Sequence, residues 1–186
     1  GMGTSLQRYR FEEEDYRGEM FKDTSGELKN NSDILCFTQP DTIKEIHEGY
    51  LESGADIIET NTFNGQSVSQ ADFGLEHIVY DVNVKAWQLA REAADKYTKK
   101  DPEKWRLVAG SMGPMPKTTS LSPDVNDPTF RNLQFEEAKN AYKEQLRGLV
   151  AGGAHVIFIE TIFDTLNAKA AAFAYLEFFE ETKLPK

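Results

Sequence analysis

Cysteine and basic charge are both scarce in this chain. Cys36 is the single cysteine among 186 residues, which excludes an internal disulfide and fits a reducing compartment such as the cytoplasm. Asp and Glu number 31 against 21 Lys and Arg, a net charge of −10. This excess argues against nucleic acid as a main partner, because phosphate binding needs basic patches. No apolar run approaches the ~20 residues of a membrane span, and the first residues do not resemble a signal peptide, so no membrane is predicted.

The rest of the composition predicts one folded α/β domain. Hydrophobic residues make up 39% and charged residues 28%, which is typical of a folded rather than a disordered chain. Helical patterns at 40–53, from about 76, at 135–151 and at 166–179 alternate with short apolar segments at 55–59, 107–110 and 156–159. This alternation predicts parallel strands joined by right-handed helical crossovers.

One phrase occurs twice in the sequence. Residues 54–63 are G-A-D-I-I-E-T-N-T-F, and residues 153–163 are G-A-H-V-I-F-I-E-T-I-F. In a parallel sheet, residues just past the carboxyl end of a strand line the ligand crevice. The repeat therefore predicts a site that contains two acidic pairs, Glu59-Thr60 and Glu160-Thr161.

The connections between the predicted strands are long. The strands begin near residues 55, 106 and 156, a spacing well above the ~30 residues of a minimal strand–helix–strand unit. Residues 111–134 have neither helix nor strand pattern, and a loop of that length is usually functional. The first 37 residues are less regular, and the acidic run at 12–15 is predicted to be solvated surface.

Four ordered motifs point to a known family. They are G-A-D-I-I-E-T-N-T-F-N, Q-A-D-F-G-L-E, L-S-P-D-V-N-D-P and I-E-T-I-F-D-T-L-N-A-K-A-A, preceded by G-M-G-T and E-E-D-Y-R-G-E-M-F. Together they resemble the amino-terminal homocysteine-binding domain of cobalamin-dependent methionine synthase, over essentially the whole chain. The resemblance implies a (β/α)₈ barrel of the TIM type, of which this chain is roughly the first half. An irregular segment, 1–38, would precede βα repeats in 39–186.

The resemblance also implies an activity and its cofactors. A methyl group would pass from methylcobalamin, recharged by methyltetrahydrofolate, to the zinc-bound thiolate of homocysteine, giving methionine. The family's three zinc-binding cysteines lie on later strands, and Cys36 is not at a metal-binding position of the motif. His47, His77 and His155 form no ligand cluster in the sequence. We therefore expect neither zinc nor cobalamin to bind this fragment, and no catalytic residue in it.

The partners follow from the same resemblance. Homocysteine would bind the fragment weakly or not at all, and the fragment alone would be inactive. The remaining barrel half and the folate and cobalamin domains would complete the enzyme.

Six residues are expected to bind substrate. They are Glu160, Glu59, Thr60, Asn61, Met2 and Gly3. Glu160 is the strongest candidate, because a strand-end carboxylate can hold the ammonium group of an amino acid by a charge-assisted hydrogen bond. Glu59, Thr60 and Asn61 either bind substrate or hold the following loop. Asp164 precedes a helical pattern and is predicted to be its N-cap.

Two motifs depart from the family. Its opening motif is Asp-Gly-(Ala or Gly)-Met-Gly-Thr, in which the Asp helps to hold the substrate amino group, whereas this chain begins at Gly1. Gly1-Met2 is either part of that motif or a tag remnant followed by a start methionine. The resemblance implies that the backbone amides of Met2, Gly3 and Thr4 bind the substrate carboxylate. In the long loop Pro116 replaces an Asn of the family's G-P-T-N-K-T, which puts a role for the Lys117-Thr118 pair in doubt.

Three functions remain open from the sequence. A half-barrel would expose two sheet edges and the apolar side chains of Ile57, Val108 and Ile157, so self-association is expected. The chain is either part of a homocysteine methyltransferase or a non-catalytic truncated barrel module that binds an amino acid or a protein partner. A weaker alternative is a barrel enzyme that uses its two Glu-Thr pairs for acid–base chemistry.

Overall fold

Three parallel strands form the sheet in the computed structural model, which describes residues 1–184. The strands are β1 (Ile57–Glu59), β2 (Leu107–Met112) and β3 (Val156–Ile159), and they lie in the order β1-β2-β3. Both neighbours pair with β2 in parallel, with Glu59 opposite Ala109. Chain order and spatial order therefore agree, as the alternating pattern predicts, and the sheet is part of a TIM-type barrel.

Helices connect and cover the strands. The α-helices are α1 (Met2–Leu6), α2 (Glu13–Arg17), α3 (Leu35–Thr38), α4 (Pro40–Glu52), α5 (Ser67–Gln70), α6 (Val79–Lys100), α7 (Phe135–Gly152) and α8 (Thr165–Thr182). Short 3₁₀ turns occupy Gln7–Tyr9, Ser32–Ile34, Ala71–Phe73 and Glu76–Ile78. The long helices α4, α6, α7 and α8 pack each against the next and cover one face of the sheet. Within residues 1–184, no helix has the length and apolarity needed to cross a bilayer.

Local sequence signals explain where the long helices begin and end. Pro40 occupies the first turn of α4, where its missing N–H is harmless. Gln134 and Glu137 form a capping box at the start of α7. Gly153 ends α7 with φ 115°, a conformation that side chains disfavour. A Cβ there would also lie 2.8 Å from the Trp87 ring, so both backbone and packing require glycine.

Two strand boundaries differ from the sequence prediction. β1 begins at Ile57 rather than at residue 55, and β2 continues to Met112 rather than ending at residue 110. Ser111 therefore belongs to the central strand and not to the long loop. The segment without helix or strand is 113–134.

The prediction that Val108 and Ile157 would be exposed is wrong. Val108 is fully buried beneath α4 and α6, and Ile157 is half-buried against the α7–α8 cluster. Alternate side chains of a strand face opposite sides, and these two face the helices. The exposed apolar face consists instead of Ile57 (53% exposed), Val156 and Phe158 (46%).

The first 38 residues contribute a cluster of core side chains. Its buried members include Leu6, Tyr16, Phe21, Leu28, Ile34 and Leu35. Glu13 is half-buried, and its carboxylate accepts hydrogen bonds from the backbone N–H groups of Leu28 (2.9 Å) and Lys29 (2.7 Å). The prediction that the acidic run at 12–15 is solvated surface is therefore wrong for Glu13, which ties α2 to a distant part of the chain.

Close packing between α6 and α7 depends on Gly148. A Cβ at this position would lie 2.7 Å from the backbone oxygen of Tyr80 and 2.7 Å from the Cβ of Asn83. We expect Gly148→Ala to lower the free energy of unfolding by about 1–3 kcal/mol, because the helices must separate. Urea unfolding followed by circular dichroism measures the change.

Gly49→Ala in α4 is the matched control. Nothing lies within 4 Å of the point that an alanine Cβ would occupy, so alanine should stabilise the helix by ~0.5–1 kcal/mol. Equal unfolding midpoints for the two variants would contradict the close approach of α6 and α7.

Candidate functional site

A cavity of about 480 Å³ opens at the carboxyl end of β1 and runs along this edge strand. The six predicted substrate-binding residues all line it: Met2, Gly3, Glu59, Thr60, Asn61 and Glu160. They come from the amino-terminal helix and from the ends of two strands. The fold therefore brings together the residues that the repeated phrase and the opening motif indicate.

Two carboxyl groups and one hydroxyl form the polar centre of the cavity. Glu59 ends β1, Glu160 follows β3, and Ser111 lies between them on β2. The Ser111 Oγ donates a hydrogen bond to Glu160 Oε1 at 2.5 Å. Partial burial raises the pKa of Glu59, and the charge of Glu160 and a hydrogen bond with it raise that pKa further. Two neighbouring carboxyl groups make this part of the cavity acidic, which suits a cationic ligand.

The backbone immediately after Glu160 is strained. Thr161 has φ 54°, a left-handed conformation that is rare for a β-branched residue and costs of order 1–3 kcal/mol. Its Oγ1 donates a 3.4 Å hydrogen bond to Glu160 Oε2. Both oxygens of this carboxylate therefore have a hydroxyl partner within the chain.

Thr60 and Asn61 use their side chains inside the protein. The Thr60 Oγ1 accepts a hydrogen bond from the Ser111 N–H (3.0 Å) and lies 2.7 Å from the Thr62 Oγ1. The Thr62 hydroxyl in turn donates to the Ser111 backbone oxygen at 2.7 Å. Asn61 donates its amide to the Ser32 backbone oxygen at 2.7 Å. These bonds fix the wall of the cavity next to Glu59.

Two buried titratable groups also line the cavity. Burial raises the pKa of Asp33 to about 7, although its Oδ1 accepts a 3.0 Å hydrogen bond from the Asn64 N–H. Burial lowers the pKa of His47 to about 4, so its imidazole is neutral at neutral pH. The sequence patterns did not indicate Asp33 or Ser111. Ser111 follows Gly110 at the end of a strand, which is a usable signal, whereas no pattern marks Asp33.

The described residues do not fit a zinc ion. No three His, Cys, Asp or Glu side chains in residues 1–184 are grouped as metal ligands. Cys36 is fully buried, and burial raises the pKa of its thiol to about 12, which disfavours the thiolate that zinc requires. Its Sγ lies 3.6 Å from the Asn61 side-chain amide. A zinc ion would therefore lack a ligand set among residues 1–184.

Asp164 joins the long loop to α8. It caps the helix by accepting from the Leu166 N–H (3.0 Å), which confirms the predicted N-cap. Its other oxygen accepts from the Thr119 N–H (2.6 Å) and the Ser120 N–H (3.1 Å). Burial alone would raise the pKa of Asp164, but these hydrogen bonds outweigh it and lower the pKa to about 2.

The beginning of the loop is held by buried side chains of α7 and α8. Tyr142 donates its hydroxyl to the Gly113 backbone oxygen at 3.0 Å and also contacts Asn167. Asn167 donates to the Lys117 backbone oxygen at 3.3 Å. Pro116 is exposed, and the anchoring bonds are made by the backbone oxygens of Gly113 and Lys117 on either side of it.

The three-stranded parallel sheet and the cavity at its strand ends are those of part of a TIM-type barrel. The model of the homocysteine S-methyltransferase family matches residues 1–185. The chain belongs to this family.

Solved structures similar to the chain include those of the homocysteine methyltransferase MmuM from Escherichia coli. Its metallated form aligns with a TM-score of 0.69 and 21% identity, over 98% of this chain and 58% of that protein. Its oxidized form aligns with a TM-score of 0.69 and 21% identity, over 97% of this chain and 56% of that protein. The chain thus spans less than two thirds of MmuM, and at this identity the likeness supports the fold.

Asp164 provides a pH-dependent test of how the loop is anchored. Its pKa of about 2 lies below the ordinary 3.8, so its stabilisation is complete above pH ~4 and is lost as the pH falls toward 2. We expect Asp164→Ala to lower the free energy of unfolding by about 2–3 kcal/mol at pH 7, and by less below pH 3. Urea unfolding at a series of pH values measures the difference.

Asp127→Ala is the control for this series. Asp127 accepts from Thr129 within an exposed turn of the same loop, so its replacement should change stability little. A difference for Asp164→Ala that did not vary between pH 7 and pH 2.5 would contradict the assigned anchoring.

Proposed function

We propose that this chain is the amino-acid-binding part of a homocysteine methyltransferase. The observation that carries the proposal is the Glu59–Glu160 carboxyl pair at the strand ends, in a chain of this family. A net negative pair in a partly enclosed cavity attracts an ammonium group, because the charge is only partly screened by water.

In this proposal the ammonium group of the amino acid binds at the strand ends, and its carboxylate binds at the start of α1. Glu160 accepts hydrogen bonds from the ammonium group, and Glu59 supports it from the neighbouring edge. Thr60 and Asn61 hold the cavity wall in place. Met2 and Gly3 line the same cavity, and their backbone amides lie in the first turn of α1, where they have no acceptor within the helix, so we assign them to the substrate carboxylate.

The thiol end of homocysteine would extend away from this carboxyl pair. In the proposed reaction the thiol would release its proton, its sulfur would form a bond to the methyl carbon, and the bond between that carbon and its donor would break, giving methionine and the demethylated donor. The donor we propose is methylcobalamin, recharged from methyltetrahydrofolate, as in cobalamin-dependent methionine synthase. The described residues supply binding and orientation for this step, so the chain alone should bind substrate without turning it over. The cytoplasm stays the proposed compartment.

Isothermal titration with L-homocysteine tests the proposal. We expect weak binding to the chain alone, unchanged by EDTA, and a loss of about tenfold or more in affinity for Glu160→Gln, because one charge-assisted contact is removed. Glu59→Gln should have a smaller effect, because in this proposal Glu59 only supports the ammonium group from the neighbouring edge.

4-Mercaptobutyrate is the matched control ligand, because it has no amino group. It should bind no more weakly to Glu160→Gln than to the unchanged chain. Binding of homocysteine that requires added zinc, or that survives Glu160→Gln unchanged, would contradict the proposed site.

A second candidate function is a non-catalytic module, and the exposed inner face of the sheet favours it. Ile57, Val156 and Phe158 are all exposed apolar side chains on that face. We expect two copies to associate through it, more strongly at high salt, because salt screens the repulsion between chains of net charge −10.

Sedimentation velocity at increasing protein concentration measures this association. Phe158→Glu should restore the monomer. Phe163→Glu is the matched control, because Phe163 is 74% exposed but lies beyond the end of β3. A monomer at every concentration and salt level would rule out this module.

A further inference from the structure

Hydrogen bonds to three neighbouring side chains fix the backbone of the buried residue Ser111. It is 1% exposed, and its N–H and backbone oxygen are bonded to the Thr60 and Thr62 hydroxyls. Its backbone oxygen also accepts from the Gln145 amide at 3.2 Å. With its backbone fixed on both sides, the Ser111 hydroxyl points at Glu160 Oε1 over 2.5 Å.

The Ser111 hydroxyl makes the surroundings of the Glu160 carboxyl group different from those of Glu59. A hydroxyl that donates to a carboxylate oxygen favours the ionised form. Ser111 donates to Glu160, and no corresponding hydroxyl donor to Glu59 is present among residues 1–184. The pKa of Glu59, in contrast, is raised by burial, by the charge of Glu160 and by a hydrogen bond with Glu160.

Thr161 acts on the same carboxylate from the other side. Its left-handed backbone turns the chain directly after Glu160, and its hydroxyl lies 3.4 Å from Glu160 Oε2. Strained conformations persist where the surrounding structure requires them, and they cluster at functional sites. Thr161 is exposed, so packing alone does not explain the conformation.

We propose that Ser111 and Thr161 are positioning residues that hold the Glu160 carboxylate in place for the ammonium group of the amino acid, with Glu59 beside it. The inference rests on the proposed function. The other titratable groups that line the cavity are Asp33, His47, Tyr50 and the amino group of Gly1. Of these, the Gly1 amino group acts on Glu59 and opposes the raising of its pKa.

Carboxyl carbon NMR of the chain tests the assignment without any ligand. Ser111→Ala should change the carboxyl shift of Glu160, because the hydrogen-bond donor to Oε1 is lost, and should change that of Glu59 less. Ser25→Ala, in an exposed loop, is the matched control and should move neither.

Titration with L-homocysteine adds a second readout. Ser111→Ala should weaken binding by about tenfold, the effect of one hydrogen bond to a charged group. Thr161→Gly should weaken binding about threefold without lowering the thermal midpoint, because glycine accepts the left-handed conformation. Thr161→Ser should retain wild-type affinity, since it keeps the hydroxyl. A purely structural role would instead lower stability and affinity together.

The two readouts separate the possible failures. If the unchanged chain binds no homocysteine, the proposed function fails, while the NMR shifts still decide the inference. If homocysteine binds and Glu160→Gln abolishes binding, but Ser111→Ala changes neither the shifts nor the affinity, the inference alone is overturned.

Discussion

The parallel pairing of β2 with both of its neighbours is the constraint on which the site depends. The ladder continues past the ends of the outer strands, where the Thr60 N–H donates to Ala109 (2.9 Å) and the Glu160 N–H donates to Met112 (3.1 Å). These bonds fix how far each strand extends along its neighbour. A slip of one residue would turn Glu160 toward the helices, because side chains alternate between the faces of a sheet.

The helical layer stabilises this register from behind. Val108 packs beneath α6, and Tyr142 on α7 reaches the loop that leaves β2 through the Gly113 backbone oxygen. Asp164 then joins the same loop to the start of α8. The long loop is therefore attached at its beginning to the two helices that flank β3, so the strand ends and the loop form one connected unit around the cavity.

Much of the fold could be predicted from sequence, because periodicity and capping are local. The strand at 156–159, the glycine stops and the Asp164 cap all depend on nearby residues. The predicted exposed face of the sheet is wrong at Val108 and Ile157, since these differ from Ile57 only in which side of their strand they occupy. In a short apolar segment, apolar and polar residues do not alternate, so the sequence does not show which side chains face the helices.

The candidate site, too, could be predicted only in part from the sequence. The repeated Glu-Thr phrase indicates Glu59 and Glu160, because position after a strand is a local property. Ser111 could be identified only once β2 was known to extend to Met112. The left-handed backbone conformation of Thr161 could not be predicted, because β-branched residues rarely adopt it. Asp33 reaches the cavity from a 3₁₀ turn far away in the chain. Contacts of this kind arise from tertiary packing, which a local pattern does not encode.

The central claim is that the strand-end carboxyl pair holds the ammonium group of an amino acid. A crystal structure of the chain with L-homocysteine tests it most directly. We predict the ligand nitrogen at ~2.7–3.2 Å from a Glu160 carboxylate oxygen, with the sulfur pointing away from the pair. Ligand density whose sulfur faced Glu160, or that lay outside this cavity, would contradict it.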